Sequence, residues 1–214
     1  MFAGRNWPEG YEFPACGPCN QGSSLQDRLF AFTATVPVAN ALEGQRRVEW
    51  LALIRDINKD HPGLLQSLVM STAEKRGALR SLAIALPPGQ TIGGTGMLRS
   101  VPDLEAAVQV VLTKLAKAVH YKQAGRIVPS GAAVQIRLYP NSELLAGRFP
   151  SDLLNELLGE ERLRRSGRDL GDQFNCWFGV TDDGANGVYI CTFGESMAAG
   201  LTVLFSPDVL DLPH

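Results

Sequence analysis

One long amphipathic stretch, residues 102–125, constrains the fold of this chain more than any other feature. It begins with Pro102 and Asp103, and an acidic first turn suits the positive end of the helix dipole. It ends at Gly125, a residue type common at helix C-termini. Its apolar face holds Leu104, Val108, Val111, Leu112, Leu115 and Val119, whereas Glu105, Gln109, Lys114 and Lys117 fall on the other side. The pattern predicts a central core helix.

The C-terminal part of the sequence carries strand patterns. Residues 134–139 alternate apolar with polar side chains, which is the period of a half-buried strand. Aromatic and β-branched residues are frequent in 173–181, 188–193 and 201–205, with hairpin residues at Asp183-Gly184 and Asn186-Gly187 between the first two. Together with the helices, these segments predict an α+β fold with a C-terminal antiparallel sheet.

Shorter helical patterns occupy the first hundred residues. They predict helices after Ser23 or Ser24, from Glu43 to about Asn58, from Pro62 to Val69 and over residues 72–86, and Ser151 is predicted to cap a further short helix. Between them lies Gly93-Gly94-Thr95-Gly96. This glycine-rich segment lacks the Lys and the Ser/Thr of a phosphate-binding P-loop, so we predict a flexible loop.

Charge and hydropathy narrow the function classes. The 214 residues carry a formal net charge of −2, with a sequence pI of about 5.9, so DNA binding would have to rest on local patches. No apolar run approaches the ~18 residues of a membrane-spanning helix and no secretory leader is present, so we expect no membrane partner and a cytoplasmic location. Four cysteines are too few for a disulfide scaffold in a chain of this length.

A metal-binding pattern lies near the N-terminus. Cys16 and Cys19 are separated by Gly17-Pro18, a tight-turn pair that aims both thiolates at one Zn²⁺ ion. Asn20 follows directly, ahead of the first predicted helix. Because tetrahedral zinc takes four ligands, two thiolates form half of a site. Redox chemistry at this Cys-x-x-Cys pair is an alternative, although no βαβ pattern precedes it.

This order of residues, an aromatic and proline lead-in, Cys-x-x-Cys-Asn and then a helix, resembles the second half of the treble-clef zinc motif of HNH endonucleases. The resemblance covers roughly residues 1–36 and places Cys16 and Cys19 at the second zinc knuckle and Asn20 at the last His or Asn of the motif. Tyr11 stands where the family usually has its middle Asn. Residues 1–15 contain no histidine or cysteine, so the first knuckle and the water-activating histidine are missing. We expect Met1 to be an internal methionine of a longer reading frame.

The resemblance implies a division into a partial treble-clef segment, 1–36, and an α+β accessory domain, 37–214. In intact family members a divalent ion such as Mg²⁺ assists hydrolysis of a DNA phosphodiester while a histidine activates water. The chain would then be an HNH-like protein that is inactive or truncated, with structural Zn²⁺ at an incomplete site. The alternative is a non-enzymatic α+β binding module with a relic zinc knuckle.

Three other groups of residues are candidates for a site. Arg162, Arg164 and Arg165 form a basic cluster that suits phosphate contacts or a solvated surface turn. A two-residue Asp183-Gly184 turn would place Cys176 and Cys191 directly opposite each other, and a six-residue loop would place them diagonally. They are either further zinc ligands or small buried hydrophobes. His120, in the last turn of the core helix, is predicted to be a cation that stabilises the helix C-terminus rather than a catalytic base.

Overall fold

The computed structural model describes residues 9, 22–36, 44–86, 88–157, 159–161 and 163–205. Its α-helices are α1 Ser24–Thr35, α2 Gly44–Asp60, α3 Leu64–Leu68, α4 Thr72–Ser81, α5 Pro102–Ala124 and α6 Asn141–Leu145, and short 3₁₀ helices span Ile92–Gly94 and Ser151–Glu156. The strands are β1 Ala133–Pro140, β2 Gly159–Glu161, β3 Arg164–Arg165, β4 Arg168–Asp169, β5 Asn175–Val180, β6 Asn186–Phe193 and β7 Met197–Leu204. The α+β prediction is confirmed.

Within these described ranges, five strands form one antiparallel sheet in the order β1-β7-β6-β5-β2. The register pairs Ile136 with Leu201 and Leu201 with Tyr189, so these three cross-strand partners lie on one face of the sheet. The same face carries Phe193 and Met197, which are buried. Strand β1 therefore joins the meander beside β7, although the two strands are far apart in the sequence.

Helix α5 packs on this face of the sheet, as the predicted core helix should. Its Leu112, Ala116 and Val119 are fully buried in the same apolar cluster as the sheet residues. Burial of a large apolar side chain contributes about 1.5–3 kcal/mol to folding. The backbone N–H of Gly125 donates to the carbonyl of Tyr121, and its left-handed conformation (φ 67°) ends the helix as predicted.

Helix α1 belongs to the same core. Its Leu29, Phe30 and Phe32 are buried, and the ring of Phe30 meets that of Phe193 edge to face, with 5.2 Å between centroids. The predicted boundary at residue 36 therefore lies just after α1, a helix that packs against the C-terminal sheet. None of the helices in the described part of the chain is long and apolar enough to cross a bilayer.

Several element boundaries differ from their predictions for local reasons. Helix α3 begins at Leu64 rather than Pro62, because Gly63 precedes it in a left-handed conformation. Helix α4 starts in a capping box between Ser71 and Glu74 but ends at Ser81, and Ala83 has a φ of 55° that no helix accommodates. The segment after Pro150 is a 3₁₀ helix without a side-chain cap.

Candidate functional site

A cavity of about 350 Å³ lies between the helices and the sheet, at the end of the molecule where α5 begins. Five segments converge on it: the end of α1, the loop 96–100, the first turns of α5, the second half of β1 with the start of α6, and the turn before β7. The apolar lining residues are Val36, Met97, Leu98, Leu104, Val108, Ile136, Leu138, Pro140 and Met197. The polar lining residues form the polar rim, which consists of Thr33, Ser100, Glu105, Gln109, Asn141, Ser142 and Ser196.

The loop 96–100 forms one wall of the cavity and is fixed at three points. Leu98 forms an isolated antiparallel bridge with Val69. The backbone N–H of Arg99 donates to the carbonyl of Leu68 at 2.7 Å. The side-chain amide of Asn141 donates to the carbonyl of Gly96 at 3.0 Å. Because these bonds tie the loop to α3 and α6, the cavity is bounded by fixed backbone on this side.

Hydrogen bonds within the polar rim orient its hydroxyl groups. Ser100 donates its hydroxyl hydrogen to the Glu105 carboxylate at 2.6 Å, and Thr33 donates its own to the carbonyl of Leu29 at 2.9 Å. Glu105 is the single charged residue among the described lining residues. The other four rim side chains can both donate and accept hydrogen bonds, and Glu105 gives the rim one negative charge.

The opposite end of α5 is closed by a buried hydrogen-bond chain. His120 Nε2 lies 3.2 Å from the carbonyl oxygen of Gly184, which only accepts, so this nitrogen carries the hydrogen. His120 Nδ1 then accepts from the hydroxyl of Tyr189 at 2.9 Å. Burial lowers the pKa of His120 and raises that of Tyr189. The chain fastens the tip of the β5–β6 hairpin to the end of the helix.

The predicted role of His120 as a cationic partner of the helix C-terminus is therefore wrong. Both ring nitrogens bond to the hairpin, and the side chain is fully buried, which favours neutral imidazole. The neighbouring positive charge is Arg126, whose guanidinium donates to the carbonyl of Asp183 at 2.6 Å and lies over the ring of Phe205.

Cys176 and Cys191 face each other directly, which was one of the two predicted arrangements. The pairing is centred on Asp183-Gly184, and the two sulfurs lie 3.6 Å apart in the core. Burial raises the pKa of the Cys191 thiol. Among the described residues, no three His, Cys, Asp or Glu side chains come together as a metal-binding group. In this environment the two thiols pack as small apolar groups.

The predicted basic cluster falls on a tight hairpin. Arg164 is exposed and pairs with Asp169 across β3 and β4, while Ser166 and Gly167 form the turn with positive φ angles. The backbone N–H of Glu9 donates to the Arg164 carbonyl at 3.0 Å, and the Ser166 N–H donates to the Glu9 carboxylate at 2.7 Å. Arg165 is half-buried. Arg162 lies outside the described residues.

The glycine-rich loop directs its carbonyls inward, towards a lysine. The ammonium group of Lys75, a buried residue of α4, donates to the carbonyls of Gly93 and Thr95 at 3.0 and 2.6 Å. A phosphate cradle would instead turn backbone N–H groups towards its ligand. Lys75 therefore has a structural role here and holds this loop in place.

The residues of the predicted zinc knuckle, Cys16, Cys19 and Asn20, lie outside the described residues. The zinc and nuclease assignments therefore stay predictions. Sequence reasoning missed the polar rim, because Glu105 and Gln109 read as the solvent side of a core helix. No local pattern marks the cavity, since its walls come from five separate segments.

Comparison with protein-family models, with curated proteins and with solved structures finds no match for this chain.

Proposed function

We propose that residues 24–205 form a ligand-binding module whose site is the cavity at the start of α5. The observation that carries this proposal is the combination of apolar lining residues with a polar rim, in a cavity that the tethered loop 96–100 bounds on one side. Small-molecule sites in proteins are typically concave and mainly apolar, with a few polar groups that orient the ligand. A volume of about 350 Å³ falls within the usual range for such sites.

Other polar clusters have partners within the fold. Arg28 bonds to Asp60 and lowers the pKa of its carboxyl, while Ser71 and Arg99 lower that of Glu74 to about 2. These are surface pairs that join helices or cap them. The polar rim differs because its side chains line a cavity that also has apolar walls, which is where a ligand would find both apolar contact and hydrogen bonds.

A fragment screen by NMR tests the proposal. We expect small, mainly apolar molecules to shift the amide signals of residues 96–109 and 136–142. In Ser142→Trp, an indole at the rim should occupy the cavity and weaken binding at least tenfold. Leu145→Trp is the matched control, because Leu145 lies on the same short helix, is exposed and does not line the cavity. Binding that persists in a folded Ser142→Trp protein would contradict the proposal.

A second candidate is an HNH-like nuclease role, favoured by the Cys16-x-x-Cys19-Asn20 spacing and by one contact. Glu9 bonds to the arginine hairpin at both Arg164 and Ser166. Cys16 follows Glu9 by seven residues in the sequence. A zinc knuckle close in sequence to this contact, together with the exposed Arg164, would suit contact with a DNA backbone.

Cleavage of supercoiled plasmid with Mg²⁺ or Mn²⁺ tests this second candidate. Cleavage that is lost in Asn20→Ala and retained in Asn58→Ala, an exposed position at the end of α2, would support the nuclease role. The zinc content of Cys16→Ala should be lower than that of the wild type. A protein that leaves the plasmid intact with either metal and contains no zinc would exclude the nuclease role.

A further inference from the structure

We infer that the cavity binds a small amphiphilic amine, that is, an apolar body carrying one ammonium group. This inference rests on the proposed binding function and adds the chemical class of the ligand. It is drawn from three features of the cavity: its size, its apolar lining and the negative charge of its rim.

The size and floor favour a compact apolar body. The volume of about 350 Å³ is at the lower end of the range for ligand sites, which favours a small molecule over a dinucleotide or another large cofactor. Leu104 and Val108 line one wall, and Ile136 and Leu138 line the facing one. Met97 and Met197 complete the floor, and their flexible thioether side chains adapt to irregular ligand shapes.

The single charge of the rim, on Glu105, favours a cationic ligand. The hydroxyl hydrogens of Ser100 and Thr33 are already directed to Glu105 and to the Leu29 carbonyl, so both oxygens present lone pairs. The Glu105 carboxylate only accepts. An ammonium group supplies three donors and a positive charge that complements the Glu105 carboxylate, whereas a carboxylate or phosphate would carry the same sign of charge as Glu105.

Neighbouring cations do not neutralise Glu105. The guanidinium of Arg99 is engaged by Glu74 at 2.7 Å, and that of Arg137 by Glu143 at 2.7 Å. Arg137 also lies on the other face of the sheet from Ile136 and Leu138, because successive residues of a strand alternate. Within the described residues, the charge of the rim is therefore negative.

A matched ligand series tests the inference: 3-phenylpropylamine, 3-phenylpropan-1-ol and 3-phenylpropanoate, each titrated by NMR at low salt. We expect the amine to bind about fivefold more tightly than the alcohol, the size of effect typical of a partly exposed ion pair, and the carboxylate to bind most weakly. Glu105→Gln should remove the difference between amine and alcohol. Asp103→Asn, which removes a charge from the same helical turn but does not line the cavity, should retain it.

The outcomes separate this inference from the proposal beneath it. If the three compounds bind equally, or if Glu105→Gln keeps the preference for the amine, the inference is wrong and the binding function stands. If none of the three shifts the signals of residues 96–109 and 136–142 at millimolar concentration, both the inference and the binding function are overturned. Preference for the amine that depends on Glu105 and is absent in Ser142→Trp would establish both.

Discussion

The two ends of helix α5 meet the same sheet in different ways. At the C-terminal end, His120 and Tyr189 are buried, and their polar atoms bond to each other and to Gly184. At the N-terminal end, Glu105 and Gln109 are exposed and line a cavity whose floor is apolar. One end of the helix is therefore closed by buried hydrogen bonds, and the other end borders the cavity.

This contrast separates two uses of polar side chains. A buried polar group costs folding free energy unless it is bonded, so the chain at the closed end contributes to stability and fixes the hairpin position. Polar groups beside an internal space remain available to a ligand. We therefore expect substitutions at the closed end to change stability, and substitutions at the rim to change binding.

The largest effect on stability should come from Gly187→Ala. A Cβ atom at this position would lie 2.3 Å from the Tyr189 hydroxyl oxygen and 2.8 Å from its ring carbon, so the ring has to move out of a packed core. We expect a loss of about 3 kcal/mol in the free energy of unfolding, measured with urea. Gly200→Ala is the control, because its nearest neighbours are 3.9 Å away. Equal losses in the two variants would contradict the tight packing at the closed end.

Removal of one hydroxyl from the buried chain should have a smaller effect. Tyr189→Phe leaves the Nδ1 atom of His120 without its donor, which should cost about 1–2 kcal/mol in urea unfolding. Tyr121→Phe, one residue after His120 and 42% exposed, should change stability by less than about 0.5 kcal/mol. A neutral result for Tyr189→Phe would show that this hydrogen bond does not stabilise the closed end.

Stability should also depend on pH through His120. Burial lowers its folded-state pKa below the ordinary 6.5, so the unfolded chain binds a proton that the folded protein rejects. The free energy of unfolding should therefore be highest above pH 6.5 and fall as the pH drops from 6.5 towards the lowered pKa. His120→Gln should lose this slope in urea unfolding between pH 5 and 8.

Glu74 provides a contrast in a separate pH window. Its pKa is lowered from 4.5 to about 2 by hydrogen bonds from Ser71 and by Arg99, so its contribution is present above pH 4.5 and lost as the pH falls to about 2. Glu74→Gln should retain the slope near pH 6. If Glu74→Gln loses the slope near pH 6, the slope does not come from His120.

The smallest effect on stability should be at the rim. Gln109→Ala replaces an exposed side chain with the best helix former, so the free energy of unfolding should change by no more than about 0.5 kcal/mol. Thermal and urea unfolding of the variant measure this. A loss above about 1 kcal/mol would mean that the rim stabilises the fold, and the contrast between the two ends of α5 would fail.

Local patterns in the sequence predicted the elements that have strong periodicity. Helix α5 and its Gly125 end, the alternation of β1 and the hairpin around Asp183-Gly184 all follow from neighbouring residues. The start of β7 at Met197 was missed, because Ala198, Ala199 and Gly200 lack the β-branched signal of a strand. Their strand conformation is set by the partners β6 and β1 on either side.

Features that depend on distant segments were beyond the sequence patterns. The end of α5 is visible in the sequence, but the hairpin that folds over His120 lies about 64 residues further on. The cavity likewise combines residues from Thr33 to Met197, and each of its segments reads alone as an ordinary helix, loop or strand. The partial treble-clef prediction rests on residues outside the described part of the chain.

The position of β1 beside β7 sets an order of events during synthesis. Ala133 pairs with Leu204, so some seventy further residues have to leave the ribosome before β1 can pair with β7. Until then the edge of β1 that pairs with β7 lacks its native partner. Met197 is both the first residue of β7 and a lining residue of the cavity, so the proposed ligand site is completed only when this strand has been synthesised.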